Sequence, residues 1–176
     1  MLGSMARAFG VSVFFFVLLG LAYPLAETGI GQGLFSHQAN GSLTAHGSTL
    51  VGQHWQGPKW FQGRPDADDP MATGGSNLGP RSKALIAAVT QQAGRLKSQG
   101  ITPTPDLVTT SGSGVDPDIS PADAYAQVNA VAQARGLPLP AVRALVTSAI
   151  QQPALGFLGS PHVNVLQLNE SLAKLK

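Results

Sequence analysis

Between Arg7 and Glu27 the chain reads AFGVSVFFFVLLGLAYPLA, an uncharged run of 19 residues from Ala8 to Ala26. As an α-helix rising 1.5 Å per residue it measures about 28 Å, close to the hydrocarbon thickness of a bilayer. A core helix of a soluble domain alternates apolar and polar faces and rarely strings together more than a dozen apolar residues. Pro24 is the one breaker, and it falls in the last turn of the run, where freed backbone groups find water. The run therefore reads as a single transmembrane helix. It divides the chain into a short N-terminus (1–7), a span (8–26) and a domain (27–176) of about 150 residues, enough to fold on its own. Within the span, Gly10, Ser12 and Gly20 are small side chains at which partner helices can approach closely.

A cleaved leader is the competing reading, because Gly20-Leu21-Ala22 has small residues at the spacing signal peptidase reads, after a short n-region carrying Arg7. That reading leaves a secreted enzyme or binding protein. Against cleavage, the apolar run continues through Tyr23, Pro24, Leu25 and Ala26, longer than the usual apolar region of a leader. Both readings send the remaining chain out of the cytoplasm. The next positive residue after Arg7 is Lys59, so the positive-inside rule keeps the N-terminus in the cytoplasm and the domain outside.

With no cysteine there is no disulfide framework and no thiolate metal site. A formal charge of +2 is too small to argue for nucleic acid as a partner. Charged residues make up 11% of the chain, against about 25% in ordinary soluble domains, and so sparsely charged a surface is easily covered by a partner. The 21 glycines and 13 prolines predict an ordered domain rich in turns.

Along the domain, 27–47 is polar and glycine-punctuated and reads as a loop or juxtamembrane segment. A short strand is expected at 49–53. A long irregular loop follows from Trp55 to Pro80, with Gly63-Arg64-Pro65, the acidic cluster Asp66, Asp68 and Asp69, and Gly74-Gly75-Ser76-Asn77-Leu78-Gly79-Pro80. A loop of this length is the first place to seek function. The spacing of Leu85, Val89 and Leu96 predicts a helix over 81–98, with Gly100 as its stop. Residues 106–110 read as a brief strand running into the turn Ser111-Gly112-Ser113-Gly114. Ser120-Pro121-Ala122-Asp123 is a helix start, and Arg135-Gly136 its end. Val142, Leu145, Val146, Ala149 and Ile150 form the apolar face of another helix, begun at Pro140 and closed by Pro153. Residues 162–169 suit a strand, with Asn169 capping a short terminal helix through Leu175. The fold class is α+β: one N-terminal membrane helix, then a small domain of three main helices and short strands.

No constellation in the chain carries an obvious reaction. Gly74 to Gly79 lacks the Gly-Lys-Ser/Thr ending of a phosphate loop, and no Asp-Lys-Thr-Gly phosphorylation motif is present, so ATP hydrolysis is not expected. Position 111 is Ser rather than the Gly of a nucleophile elbow around Ser113. His37, His46, His54 and His162 show no metal-ligand spacing. The three aspartates can gather cations, or simply face water. The glycines beside Ser76, Asn77, Ser111 and Ser113 suit anion-binding nests, but tight turns need the same residues and are the favoured reading.

Taken in order, GSTLVGQHW, WFQGRPDA, GGSNLGP, DLVTTSGSGVDPDISP, the QARGL helix end and the tail LGSPHVNVLQLN resemble the C subunit of the Kdp potassium-transporting P-type ATPase (KdpC). The resemblance runs from the membrane helix to the last residues. Departures are Asp66 where the family usually has Ser, Ala130 where Arg is frequent, and Trp55 and Trp60 in place of Phe and Tyr. The resemblance implies a bacterial cytoplasmic-membrane complex in which a channel-like subunit binds potassium and a P-type ATPase subunit is phosphorylated. ATP and potassium are then handled by those partners, and this chain holds no cofactor or metal of its own. The family is also described as a catalytic chaperone raising the pump subunit's affinity for ATP. The domain is expected on the external face of the potassium-conducting subunit, stabilising the complex or shaping ion entry. Arg64, Gly74, Gly75, Ser76 and Asn77, in the family-matching blocks of the long loop, are the expected partner contacts.

Overall fold

The computed structural model describes residues 2–66 and 73–175. The chain forms two compact units, Met1–Leu43 and Thr44–Lys176.

The first unit is dominated by one continuous helical stretch, Gly3–Leu34, of 32 residues. It comprises α1 (Leu2–Val17), a π-helical turn (Leu18–Ala22) and α2 (Tyr23–Leu34). With a peak mean hydropathy of 2.1 and none of that window buried, it is long and apolar enough to cross a bilayer. The helix outruns the expected boundaries: Pro24 sits in the first turn of α2 rather than at the end of the helix. Proline has no N–H to give the carbonyl of Gly20 and its ring crowds that turn. The chain absorbs this one turn earlier, where the Tyr23 N–H bonds the carbonyl of Leu18 five residues back, the spacing of a π-turn. The loop expected from residue 27 is also helix as far as Leu34. Thr28 Oγ1 bonds Pro24 O (2.8 Å), and Gly29, Gly31 and Gly33 are accommodated in the helix. Gly31 faces α3 (Ser36–Ala39), where an added Cβ would make ordinary contact with the Ala39 methyl at 3.9 Å. Asn40 fastens this fold-back by reciprocal amide bonds with Gln32. Gly10, Ser12 and Gly20 are all exposed on the helix surface, and a Cβ at Gly10 would meet nothing within 4 Å.

At the unit boundary lie two-residue strands, β1 (Leu43–Thr44) and β2 (Gly47–Ser48); no strand forms at the expected 49–53. In the second unit α4 (Lys83–Ser98) starts after Ser82 and ends ahead of Gly100, at φ +73. Leu96 is wholly buried, whereas Leu85 and Val89 are only half-buried and Ile86 is exposed, so α4 is rooted in the core by its C-terminal end. The expected strand at 106–110 is instead a helical turn, α5 (Pro105–Val108), because Pro105 at its first position fixes a helical φ.

β3 (Asp118–Ile119) leads into α6 (Pro121–Arg135), which begins and ends where the sequence places it. Ser120 Oγ accepts the Asp123 N–H (3.2 Å) and Gly136 takes the left-handed closing conformation at φ +66. α7 (Leu139–Ala149) buries Val142 and Val146. Ile150 leaves that helix for β4 (Ile150–Gln151). β5 (His162–Asn164) is shorter than expected, and α8 (Val165–Lys174) follows at once. The capping residue is Asn164, whose side chain accepts the Gln167 N–H at 3.2 Å; Asn169 lies inside the helix. The sheet order is β3-β5-β4, antiparallel throughout, with Ile119 and Ile150 both opposite Val163. Around it a single core joins Phe61, Leu96, Leu107, Val131, Val142, Leu168 and Leu172. Among the described residues of this unit α4, α6 and α7 are the three main helices expected, and the terminal helix α8 begins five residues earlier than the sequence placed it.

Candidate functional site

The long loop is fixed by a device that no local pattern announces. Phe61 and Gln62 are buried without a strand partner, and two amide side chains stand in for one. Asn169 of α8 accepts the Phe61 N–H (2.9 Å) and donates to the Phe61 carbonyl (2.9 Å). Gln127 of α6 accepts the Gln62 N–H (2.7 Å) and donates to the Gln62 carbonyl (3.0 Å). Both amides are fully buried, and buried backbone groups demand such partners. The clamp delivers Gly63, Arg64, Pro65 and Asp66 to one place.

There Asp66 organises the turn 111–116. Its carboxylate accepts the Ser111 N–H (2.6 Å), the Ser111 hydroxyl (2.7 Å) and the Asp116 N–H (2.8 Å). Ser111 Oγ in turn accepts the Gly114 N–H at 2.9 Å. A second latch closes over the same turn: the Gly74 N–H bonds Ser113 O at 2.7 Å. The approach is so close that a Cβ on Gly114 would lie 2.5 Å from Gly74 O, and one on Gly75 would lie 3.0 Å from Gly112 O. On the other side Gly52 bonds Val115 O at 2.8 Å, and a Cβ there would lie 2.6 Å from Asp116 O. Asn164 completes the frame by donating to Thr49 O and Asp118 Oδ1, both at 2.9 Å.

These segments enclose a cleft of about 420 Å³ lined by Gln53, His54, Arg64, Asp66 and Asp116 and walled by Val51, Pro117, Val165 and Leu166. Each of the motif blocks around residues 47–55, 63–66, 111–117 and 163–166 supplies part of it. Most of the charged groups at its rim are engaged within the fold, although the buried Arg64 Nε has no hydrogen-bond partner among the described residues. Arg64 Nη1 pairs with Asp106 Oδ1 at 2.8 Å, Asp66 holds the turn, and Asp116 Oδ1 accepts the Asp118 N–H at 3.0 Å.

Behind Arg64 lies a pair of carboxyl groups, Asp106 and Asp123. Asp123 is 2% exposed; burial first, and hydrogen bonding with Asp106 second, raise its pKa above the ordinary carboxylate range. The same contact with Asp123 is the largest influence lowering Asp106, ahead of the Arg64 guanidinium. The pair is pulled in opposite directions, Asp123 raised and Asp106 lowered, with the Arg64 guanidinium on the Asp106 side. Ser120 Oγ also donates to Asp123, tying the start of α6 to this pair.

Of the residues singled out in the sequence, Arg64, Gly74 and Gly75 meet in the latched region, while Ser76 and Asn77 lie exposed just beyond it, Asn77 at φ +52. Asp66 makes intramolecular bonds; Asp68 and Asp69 lie outside the described residues. Ser111 and Ser113 bond to each other and to their own turn. Among the described residues no group of three or more His, Asp or Glu is placed to hold a metal ion. His46 meets Glu170 at 3.0 Å and His162 lies 3.9 Å from Asp118. The residues missed were Gln127 and Asn169, and with them Asp106 and Asp123. Asp123 and Asn169 were legible in the sequence only as helix-start and capping residues, and Gln127 and Asp106 left no sign of these roles.

Comparison with known proteins agrees with the motif blocks. A family model described as KdpC, K+-transporting ATPase, c chain, matches residues 5–174. A potassium-transporting ATPase KdpC subunit of Caulobacter vibrioides is 51% identical over 170 residues, covering 90% of this chain and 86% of the relative. The same-named proteins of Sorangium cellulosum (49% over 169 residues; 88% and 89% covered) and Rhodopseudomonas palustris (46% over 179 residues; 89% of each covered) are similar along nearly the whole length.

Proposed function

Since this chain belongs to the KdpC family of potassium-transporting ATPase subunits, we propose that it is the non-catalytic member of such a complex, anchored in the bacterial cytoplasmic membrane by Gly3–Leu34 and acting through its second unit on the external side. There the unit stabilises assembly on the channel-like potassium-binding subunit and shapes ion entry, while a P-type ATPase subunit handles ATP. The observation that carries this reading is the use the fold makes of its polar groups: around the cleft, Arg64, Asp66 and Asp116 hold loops in place. A scaffold is what such a site suits, with partners meeting its surface. Arg64, Gly74 and Gly75 then shape the loop, and the exposed Ser76 and Asn77 make the contact. The small residues Gly10, Ser12 and Gly20 serve packing between membrane helices.

Orientation is the point on which the reading turns, because a domain outside the membrane cannot touch cytoplasmic nucleotide. The chaperone description places this chain at the ATP site instead. The absence of cysteine allows a direct test: the full chain carrying Ser98→Cys, exposed at the end of α4 and away from the expected contacts, in cells expressing the complex, is treated with a membrane-impermeant maleimide. Labelling of intact spheroplasts is expected. Labelling only after permeabilisation would put the domain inside and favour the nucleotide role.

A further inference from the structure

The connection from β4 to β5 is a part of the second unit that the core does not use. Residues 153–159 close into a small hairpin: Ala154 and Leu158 exchange backbone bonds at 3.0 and 2.9 Å, the Gly156 N–H bonds Pro153 O at 3.0 Å, and the Phe157 N–H bonds Ala154 O at 3.3 Å. Its tip is apolar and bare. Leu155 is 82% exposed, Phe157 74% and Leu158 53%. Three large apolar side chains within four residues, on a backbone ordered by its own hydrogen bonds, form a preshaped projection rather than a scattered surface residue.

Two further observations say what covers it. Leu155 stands at φ +54, a left-handed conformation that glycine adopts freely and leucine only at a cost. Exposure and strain both work against the free domain, and strain of this kind marks a functional position. Charge supplies the second: between Arg143 and Lys174 there is no Lys or Arg, Glu170 is the one acidic side chain, and the one imidazole, His162, faces Asp118 at 3.9 Å. A loop that dips into a bilayer carries Lys or Arg beside its apolar tip to meet anionic headgroups, and none flanks this one. Depletion of charge around an exposed aromatic, Phe157, is instead the composition of a protein interface centre.

We propose that Leu155, Phe157 and Leu158 form the anchor by which the second unit docks into an uncharged apolar recess on another subunit of the pump complex. The proposal rests on the reading of the chain as a subunit of that complex. It adds the surface: the exposed Gln151, Gln152 and Ser160 beside the tip supply an uncharged polar rim.

The test uses the tagged full chain co-expressed with the other subunits, in membranes and after mild solubilisation. Leu155→Gly is expected to leave the melting temperature of the chain unchanged or higher, since it removes strain, and yet to lower recovery of the partner subunits at least fivefold. Phe157→Ser should lower recovery similarly. A benzophenone amino acid in place of Phe157 should crosslink to a pump subunit on illumination. Normal recovery with both variants, or adducts only with lipid or with a second copy of this chain, overturns the proposal. If the wild-type chain itself recovers no pump subunit, the reading of the chain as a subunit fails, and the docking surface falls with it.

Discussion

Replacing Asn169 with alanine is expected to destabilise the second unit by about 3–5 kcal/mol, among the largest effects of any single substitution in it. The side chain accepts from Phe61 N and donates to Phe61 O, both at 2.9 Å, and is fully buried. Truncation removes both bonds and strands a donor and an acceptor in a dry core, each costing about 1–3 kcal/mol. A cavity adds to the loss. Gln127→Ala removes the equivalent pair on Gln62 and should cost a similar amount. Because the two clamps hold adjacent residues, their costs should not add: once one has let go, the segment is already partly free. Urea titration of the full chain in detergent, followed by the fluorescence of Trp55 and Trp60 beside the clamped segment, measures all three variants. A loss below about 1 kcal/mol for Asn169→Ala would mean that the clamp is not what holds the loop.

Gly114→Ala is the second large effect, at about 2–4 kcal/mol, and Gly112→Ala, two residues away, is its control. Gly114 has φ +72, and an added Cβ would lie 2.5 Å from Gly74 O, a backbone atom. The methyl group therefore meets left-handed strain of about 1 kcal/mol and a collision that only a shift of the 74–75 latch relieves. At Gly112 a Cβ meets nothing within 4 Å, so its replacement should change stability by less than about 0.5 kcal/mol. Urea titration gives the two stabilities, and limited proteolysis between Asp66 and Lys83 reports whether the latch has opened. Equal behaviour of the two variants would remove the latch from the account.

What the sequence made legible was local. The start of α6 could be read from Ser120-Pro121-Ala122-Asp123 and its end from Gly136, because capping depends on atoms three or four residues apart. The apolar face of α7 was equally plain up to Ala149. Errors arose where a local signal met a non-local competitor. Gly29, Gly31 and Gly33 look like breakers, yet they continue the helix that the span has already nucleated. Asn169 looks like a cap, but Asn164 takes that role and Asn169 is used across the core on Phe61, 108 residues away. The motif blocks pointed correctly to family and to one region of the domain. Their chemistry there is mutual: Asp66 binds the serine turn, Arg64 binds Asp106, and Gly75 makes way for Gly112. Pairings of that kind are set by the tertiary fold, and no spacing rule along the chain encodes them.

The two units carry different parts of the proposed role, the apolar helix supplying location and the latched domain supplying a rigid surface with an apolar anchor. Affinity purification of the intact chain from membranes in mild detergent tests their joint purpose most directly. The account predicts that a P-type ATPase and a channel-like potassium-binding protein co-purify in constant ratio, with the chain still carrying residues 8–26. Recovery of the chain alone, or of a soluble form beginning after Ala22, would contradict it.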